Sequence, residues 1–145
     1  MSETRSETQA ASYAALVLRL ALGVMFLAHG LTKVLVFTPA GTEAFFASLG
    51  LPPFLAYLTI LAEVGGGLLL ILGVQVRWVA LAQLPILIGA TVVHAGNGWG
   101  FGNPGGGWEY PAFLAAAQVS LILLGDGALA LMPSYRPERA RMRTA

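Results

Sequence analysis

The chain has 145 residues, of which 57% are hydrophobic and only 10% are charged, and its mean hydropathy is +0.74. A soluble domain carries about 25% charged residues, so this chain has too few charges to solvate a globular surface of its size. The composition therefore predicts a protein embedded in the lipid bilayer. The net charge of +1 gives no reason to expect a nucleic acid partner, and the absence of cysteine excludes disulfides and thiol chemistry carried by this chain alone.

Residues 1–12 are polar and predict a disordered cytoplasmic tail. The apolar run that follows contains Arg19 and no evident small-residue cleavage site. These features are not those of a secretory signal peptide, so we expect the run to remain on the protein as its first membrane helix.

Four apolar segments approach the length of roughly 20 residues that crosses the hydrocarbon core. They predict an all-α fold, an integral membrane four-helix bundle that occupies residues 13–132. The predicted spans are residues 13–36, 54–74, 78–95 and 111–131. The last span is the one whose inner end is open to question, because glycines flank Asp126 and favour an early helix end.

The links between the spans differ in composition. The link between the first and second spans contains Thr42 to Leu49, which predicts a short interfacial helix with Thr42 as its N-cap. The link between the third and fourth spans is rich in glycine and predicts a flexible external loop. Its alternating glycines are not a dinucleotide-binding fingerprint, since no strand precedes them.

Lysine and arginine near the span ends predict the orientation, because cytoplasmic loops carry an excess of them. One side has only Lys33. The other has Arg5, Arg77, Arg136, Arg139, Arg141 and Arg143. We therefore expect both chain ends, including the basic tail 133–145, on the cytoplasmic side of a multi-pass protein of the cytoplasmic membrane.

Ionisable side chains inside the spans are costly in hydrocarbon and usually face the bundle interior. At about 100° per residue, Arg19, His29 and Lys33 fall on one face of the first span. Glu63 shares a face of the second span with residues 66–67, two glycines that allow another helix to approach closely. Gln83 and His94 lie within about 20° of each other on the third span, so this span also has a polar face to turn inward.

These positions predict a polar cluster near the outer ends of the spans. At about 1.5 Å per residue, Glu63 lies near mid-membrane and within reach of Lys33. The predicted members are His29, Lys33, Glu63, His94, Asn97 and Glu109, with Tyr110 beside them. Arg19 lies deeper, at about the depth of Asp126, and either pairs with it or leaves it at the membrane interface.

Several interpretations of this cluster stay open. Lys33 and Glu63 form either a structural ion pair or a pair that carries protons or binds substrate. His29 and His94 either hydrogen-bond across helices, hold a metal with a carboxylate, or bind the carbonyl oxygens of a quinone. In the quinone case, the aromatic residues that would pack on its ring are Tyr57, Trp99 and Trp108. No compact ligand motif supports a metal, so no metal site is predicted.

Several short motifs are characteristic of one family. They are RLALG at 19–23, Phe26, His29-Gly30, Lys33, FASLGLP at 46–52, Glu63 with Gly66-Gly67, Gly73, Arg77, His94, Asn97-Gly98 and GGWEYP at 106–111. With these motifs, over about residues 16–127, the chain resembles the DoxX family of small bacterial membrane proteins. That family is related to the DoxD subunit of thiosulfate:quinone oxidoreductase.

The resemblance implies a four-helix membrane bundle, and in some members a quinone-linked redox subunit or a partner in complexes that handle sulfur compounds or oxidative stress. It supplies no set of catalytic residues. We therefore hypothesise an oxidoreductase subunit linked to a quinone or a sulfur compound, with a quinone as candidate cofactor and none bound covalently. The candidate catalytic residues are Glu63, His94 and His29, and the candidate substrate-binding residues are Arg19, Lys33, Asn97, Glu109 and Tyr110.

The alternative hypothesis is a non-catalytic membrane anchor or assembly partner of a redox or stress-response complex, in which the polar cluster only holds the helices together. A third alternative is a small transporter or ion pathway. The candidate partners are the lipid bilayer, a protein of a membrane redox complex and a second copy of the chain. The sequence does not decide whether the chain is an enzyme.

Overall fold

The computed structural model describes residues 2–134, with side chains from residue 6 onward, and this part of the chain contains five α-helices. They are α1 (Ser2–Leu35), α2 (Pro39–Ser48), α3 (Phe54–Leu72), α4 (Val76–His94) and α5 (Glu109–Leu124). A 3-10 turn, Ala95–Asn97, continues α4. The prediction of an all-α fold is confirmed. The four arginines of the basic tail lie outside the described residues.

Three of these helices, α1, α3 and α4, are long and apolar enough to cross a bilayer. The fourth predicted span, residues 111–131, extends beyond the end of the helix that the structure has there. α5 ends at Leu124 because Gly125 adopts a φ of 87°, a conformation that favours glycine. With 16 residues, α5 is shorter than the roughly 20 that a span requires. Residues 125–134, here named the C-terminal segment, are irregular.

The N-terminal residues also differ from expectation, since residues 2–12 are helical and belong to α1. No glycine or proline occurs before Gly23, so the sequence contains no helix breaker in this region. These residues extend a helix that the apolar span has already nucleated, so their own low hydrophobicity does not prevent helix formation.

The short helix α2 begins three residues before the predicted start. Its N-cap is Thr38, whose hydroxyl accepts a hydrogen bond from Gly41 N at 3.2 Å, and Pro39 takes the first helical position. Thr42, predicted as the cap, is buried in the first turn and donates its hydroxyl to Thr38 O at 2.9 Å. Pro39 was the sequence signal that Thr38, and not Thr42, is the N-cap, because proline favours the first helical position.

α1, α3, α4 and α5 surround a common apolar core, with α1 packed on α3 and α5, and α4 on the same two helices. The core side chains are Leu22, Phe26, Leu70, Val76, Ala80, Leu87, Leu114 and Leu121. Large apolar side chains are also exposed on every one of the five helices. An apolar exterior of this extent fits a protein whose outer surface faces lipid.

α1 and α3 approach each other closely at glycines. A Cβ atom at Gly67 would lie 2.7 Å from Leu27 N and 2.9 Å from Gly23 O, and one at Gly30 would lie 3.0 Å from Glu63 Cβ. Glycine removes the side chain that would hold the two backbones apart. The close packing therefore brings Glu63 against α1.

We predict that Gly67→Ala destabilises the fold by about 1–3 kcal/mol, because the new methyl group meets backbone atoms of α1 that cannot move independently. Gly65→Ala is the matched control, since a Cβ atom there has no neighbour within 4 Å. The control should be neutral or more stable by up to about 1 kcal/mol. Unfolding by sodium dodecyl sulfate in mixed micelles measures both, and equal stability of the two variants would contradict the packing described.

Candidate functional site

The predicted site residues lie at two separate ends of the bundle. Arg19 and Lys33 are both on α1, and at 1.5 Å per residue their Cα atoms are about 21 Å apart. We refer to the end that contains Lys33 as the Lys33 end and to the opposite end as the Arg19 end.

At the Lys33 end, α1 and α3 are joined by an ion pair. Lys33 Nζ lies 2.9 Å from Glu63 Oε1 and 2.7 Å from Oε2, and the two side chains are 21% and 5% exposed. The contact expected from helical geometry is thus present. Because the pair is largely withdrawn from solvent, its attraction is strong and the loss of either partner leaves an unpaired buried charge.

His29 lies one helical turn before Lys33 and is exposed. Its Nδ1 is 2.9 Å from Met25 O. A carbonyl oxygen only accepts, so in the neutral ring Nδ1 carries the proton and Nε2 is left as an acceptor. The ring stacks on Tyr110 of α5, with centroids 6.2 Å apart and an interplanar angle of 24°.

Tyr110 lies between two other rings. Phe101, from the loop before α5, meets it edge-on at 5.7 Å between centroids. We name His29, Tyr110 and Phe101 the aromatic row. Glu109 Oε1 accepts a hydrogen bond from Phe101 N at 2.8 Å, so this carboxylate positions the loop and does not join the Lys33–Glu63 pair.

The glycine-rich loop, residues 98–108, is held by hydrogen bonds, which its glycine content did not predict. Asn97 Nδ2 donates to two backbone oxygens, of Gly105 at 3.1 Å and Gly106 at 2.9 Å. Trp108 N donates to Gly98 O at 3.1 Å, which closes the loop. Asn97 therefore shapes the loop, and the substrate-binding role predicted for it stays a prediction.

The three aromatic residues that were candidates for packing on a quinone ring contact other residues of the chain. Trp99 and Trp108 pack edge-to-face on each other, with centroids 4.6 Å apart. Tyr57 donates its hydroxyl to Glu43 at 2.8 Å and joins α3 to α2. Sequence reasoning identified these rings as candidates but missed Phe101, which nothing in the sequence places beside Tyr110.

His94 is half-buried at the end of α4, under the loop. Its Nδ1 lies 2.7 Å from Ala90 O, so its neutral ring also presents Nε2 as an acceptor. A Cβ atom at Gly106 would lie 3.5 Å from the ring. Within residues 2–134, His94 shares no hydrogen bond with the Lys33–Glu63 pair, and no group of three metal-ligating side chains is found.

Two buried amides connect the helices in the core. Gln83 of α4 donates to Ala62 O of α3 at 3.0 Å, and Gln118 of α5 donates to Ala80 O at 3.1 Å and to Gln83 Oε1 at 3.3 Å. Gly66 provides the space that the Gln83 amide fills. Sequence reasoning identified Gln83 but missed Gln118, whose position near the middle of an apolar helix was the available signal.

At the Arg19 end, the C-terminal segment closes the bundle. Arg19 is 1% exposed and its Nη2 donates to Ala128 O at 3.0 Å. Asp126 Oδ1 accepts from Val76 N at 3.1 Å and from the backbone and hydroxyl of Ser134 at 2.9 and 2.7 Å. The carboxylate thus caps the N-terminus of α4. Among the described residues it makes no ion pair or hydrogen bond with Arg19, so the suggested pairing is wrong.

An all-helical chain with three apolar helices of membrane-spanning length, and with buried polar groups inside it, is a membrane protein. The chain belongs to the DoxX family, whose model matches residues 14–96. The resemblance stated from the motifs is confirmed.

Two relatives are similar to the chain. One is "Putative oxidoreductase CatD" of Bacillus subtilis (strain 168), 36% identical over 118 residues that cover 81% of this chain and 84% of that protein. The other is "Inner membrane protein YqjF" of Escherichia coli (strain K12), 36% identical over 66 residues, 46% of this chain and 49% of that protein. No solved structure matches the chain.

We predict that Lys33→Met and Glu63→Gln each destabilise the protein by about 2 kcal/mol, because each leaves a charge without its partner. The double variant should be more stable than the sum of the two losses indicates, since neither charge remains. Thermal unfolding of the four proteins in detergent tests this. Additive losses would show that the ion pair does not couple α1 to α3.

Proposed function

We propose that the chain is a redox-linked membrane subunit that binds a quinone at the Lys33 end, between the aromatic row and the Lys33–Glu63 pair. The observation that carries the proposal is the position of His29. This exposed imidazole is stacked on Tyr110, has Nε2 free to accept a proton, and lies one turn from a shielded ion pair. A quinone has a flat apolar ring and two carbonyl oxygens, and it arrives through lipid.

The side chains at the Lys33 end suit different parts of quinone binding and proton transfer. The Tyr110 ring offers a face for stacking, and the Lys33 ammonium donates to a carbonyl oxygen or attracts an anionic sulfur compound. His29 Nε2 exchanges a proton with the quinone oxygen, and Glu63 is the nearest carboxylate that can pass a proton on. His94 remains a second proton-exchanging candidate from beneath the loop.

The relatives support the same class of activity. The printed name of CatD suggests an oxidoreductase, and that of YqjF an inner membrane protein. We extend both to this chain as part of the proposal. The chain has no cysteine, so any thiol chemistry in such a complex comes from a partner protein.

We expect purified protein in lipid nanodiscs to bind a short-chain quinone analogue, such as decylubiquinone. Tyr110→Ala should weaken binding at least tenfold, while Tyr110→Phe, which keeps the ring, should bind like the wild type. His29→Ala should weaken it similarly. Quenching of tryptophan fluorescence gives the affinity, because Trp99 and Trp108 lie in the adjacent loop. Unchanged binding in both alanine variants would show that the quinone does not bind at the Lys33 end.

The proposal includes an orientation in which four helices cross the cytoplasmic membrane and both chain ends face the cytoplasm. It places the Lys33 end on the outer side. The absence of cysteine makes this directly testable. Gly102→Cys, in the loop, should react with a membrane-impermeant maleimide in intact spheroplasts, whereas Glu7→Cys on α1 should react only after permeabilisation. The reverse pattern, or labelling of both positions in intact spheroplasts, would contradict the orientation.

A second candidate is the non-catalytic anchor, and the matched polar contacts inside the bundle favour it. Lys33 has Glu63, and Gln83 has Gln118, each on a different helix. An anchor needs these contacts but not the exposed imidazole of His29. Under this candidate, Glu63→Gln lowers stability, while His29→Ala changes neither stability nor the recovery of co-purifying proteins.

A further inference from the structure

Arg19 is a buried cation with unused hydrogen-bonding capacity. A guanidinium has five N–H donors. In residues 2–134, Arg19 makes one side-chain hydrogen bond, from Nη2 to Ala128 O, and its Nε and Nη1 are buried without an acceptor. Buried donors are nearly always satisfied by protein, water or ligand. The unused N–H groups therefore mark a place where an acceptor is expected.

The nearest carboxylate does not fill this place. Asp126 is close enough to act on Arg19 electrostatically, but its Oδ1 is engaged by Val76 N and by Ser134. These contacts hold the carboxylate at the N-terminus of α4, where the helix dipole offsets part of its charge. Two nitrogen atoms of the guanidinium, Nε and Nη1, remain for another acceptor.

A groove lies directly behind the residue that covers Arg19. It is open, has a volume of about 520 Å³, and is lined by Thr8, Gln9, Ser12, Tyr13 and Ala128. Gln9, Ser12 and Tyr13 carry polar side-chain groups that can hydrogen-bond. Ala128 both lines the groove and accepts the bond from Arg19, so one residue contacts both the groove and the guanidinium.

The peptide at Ala128 is part of the C-terminal segment, which contains no helix and is held by backbone and side-chain hydrogen bonds. Ala128 N donates to Ser12 O at 3.0 Å, and Met132 bonds to Gly73 and Gln75. Asp126 and Ser134 hold the segment to the start of α4. Release of these bonds would open Arg19 to the groove without unfolding a helix.

We propose that Arg19 is an oxyanion-binding site and that the C-terminal segment is a strap that covers it. The ligand is a phosphate-type group, because the guanidinium fork matches two oxygens of such a group and the groove adds neutral donors. The source is either a free anion or a phospholipid headgroup. The site is about 21 Å along α1 from Lys33, so it is separate from the proposed quinone site.

The test uses full-length protein in dodecyl maltoside, a detergent without phosphate, at constant ionic strength. Thermal unfolding is followed with added sodium phosphate in one arm and with dihexanoyl-phosphatidylglycerol below its micelle concentration in the other. We expect a rise of about 3 °C in the unfolding midpoint in at least one arm. A rise with phosphate indicates a free anion, and a rise with the lipid alone indicates a headgroup.

Arg77→Gln is the matched control, because Arg77 is an exposed residue at the start of α4, its side chain bonds to Leu123 O of α5, and its loss changes the net charge equally. Arg19→Lys and Arg19→Gln should lose the ligand-dependent rise, whereas Arg77→Gln should keep it. Ser134→Ala removes a bond of the strap without changing charge, and should enlarge the rise because the open form becomes more populated.

Three results would overturn the proposal. The first is the absence of a rise in both arms with wild-type protein, which needs no variant to fold. The second is an equal loss of the rise in Arg77→Gln and in the Arg19 variants, which would indicate general charge screening. The third is an unchanged rise in Ser134→Ala, which would remove the strap from the proposal.

Discussion

The structure depends on one constraint, which is that a polar side chain surrounded by hydrocarbon must find its partner inside the protein. Glu63, Gln83 and Gln118 are all nearly inaccessible, and each contacts a different helix from its own. Together these contacts link α1 to α3, α3 to α4, and α4 to α5. Since apolar side chains gain little from contact with each other when lipid is the alternative, polar bonds and close glycine packing determine which helices are neighbours.

The same constraint acts differently at the two ends of the bundle. At the Lys33 end a cation and a carboxylate meet directly, and the polar groups left over, above all His29, face outward. At the Arg19 end the charges are placed against helix termini. Asp126 lies at the start of α4, and Arg77 reaches the last carbonyls of α5. Arg19 is the exception, because its charge is buried and, within residues 2–134, its side chain makes a single hydrogen bond.

Sequence reasoning was reliable wherever helical periodicity decides the outcome. The contact of Lys33 with Glu63 followed from residue spacing and side-chain length, and so did the inward position of Gln83. It failed where irregular backbone decides. Depth alone left two alternatives for Asp126, a pair with Arg19 or a place at the membrane interface, whereas the carboxylate follows the helix end at Gly125 and bonds to the start of α4. Likewise, glycine content suggested a mobile loop, although Asn97 supplies the hydrogen bonds that order it.

The residues that the family model matches include only part of the proposed quinone site. The family match ends at residue 96, so it includes Lys33, Glu63 and His94 but not Tyr110. The ring on which His29 stacks therefore comes from α5 and the loop before it, for which the match provides no support. An imidazole beside an ion pair can exchange a proton, but only an adjacent aromatic face holds a quinone ring in position. The contact between His29 and Tyr110 is thus what separates a redox site from a membrane anchor that happens to contain an ion pair.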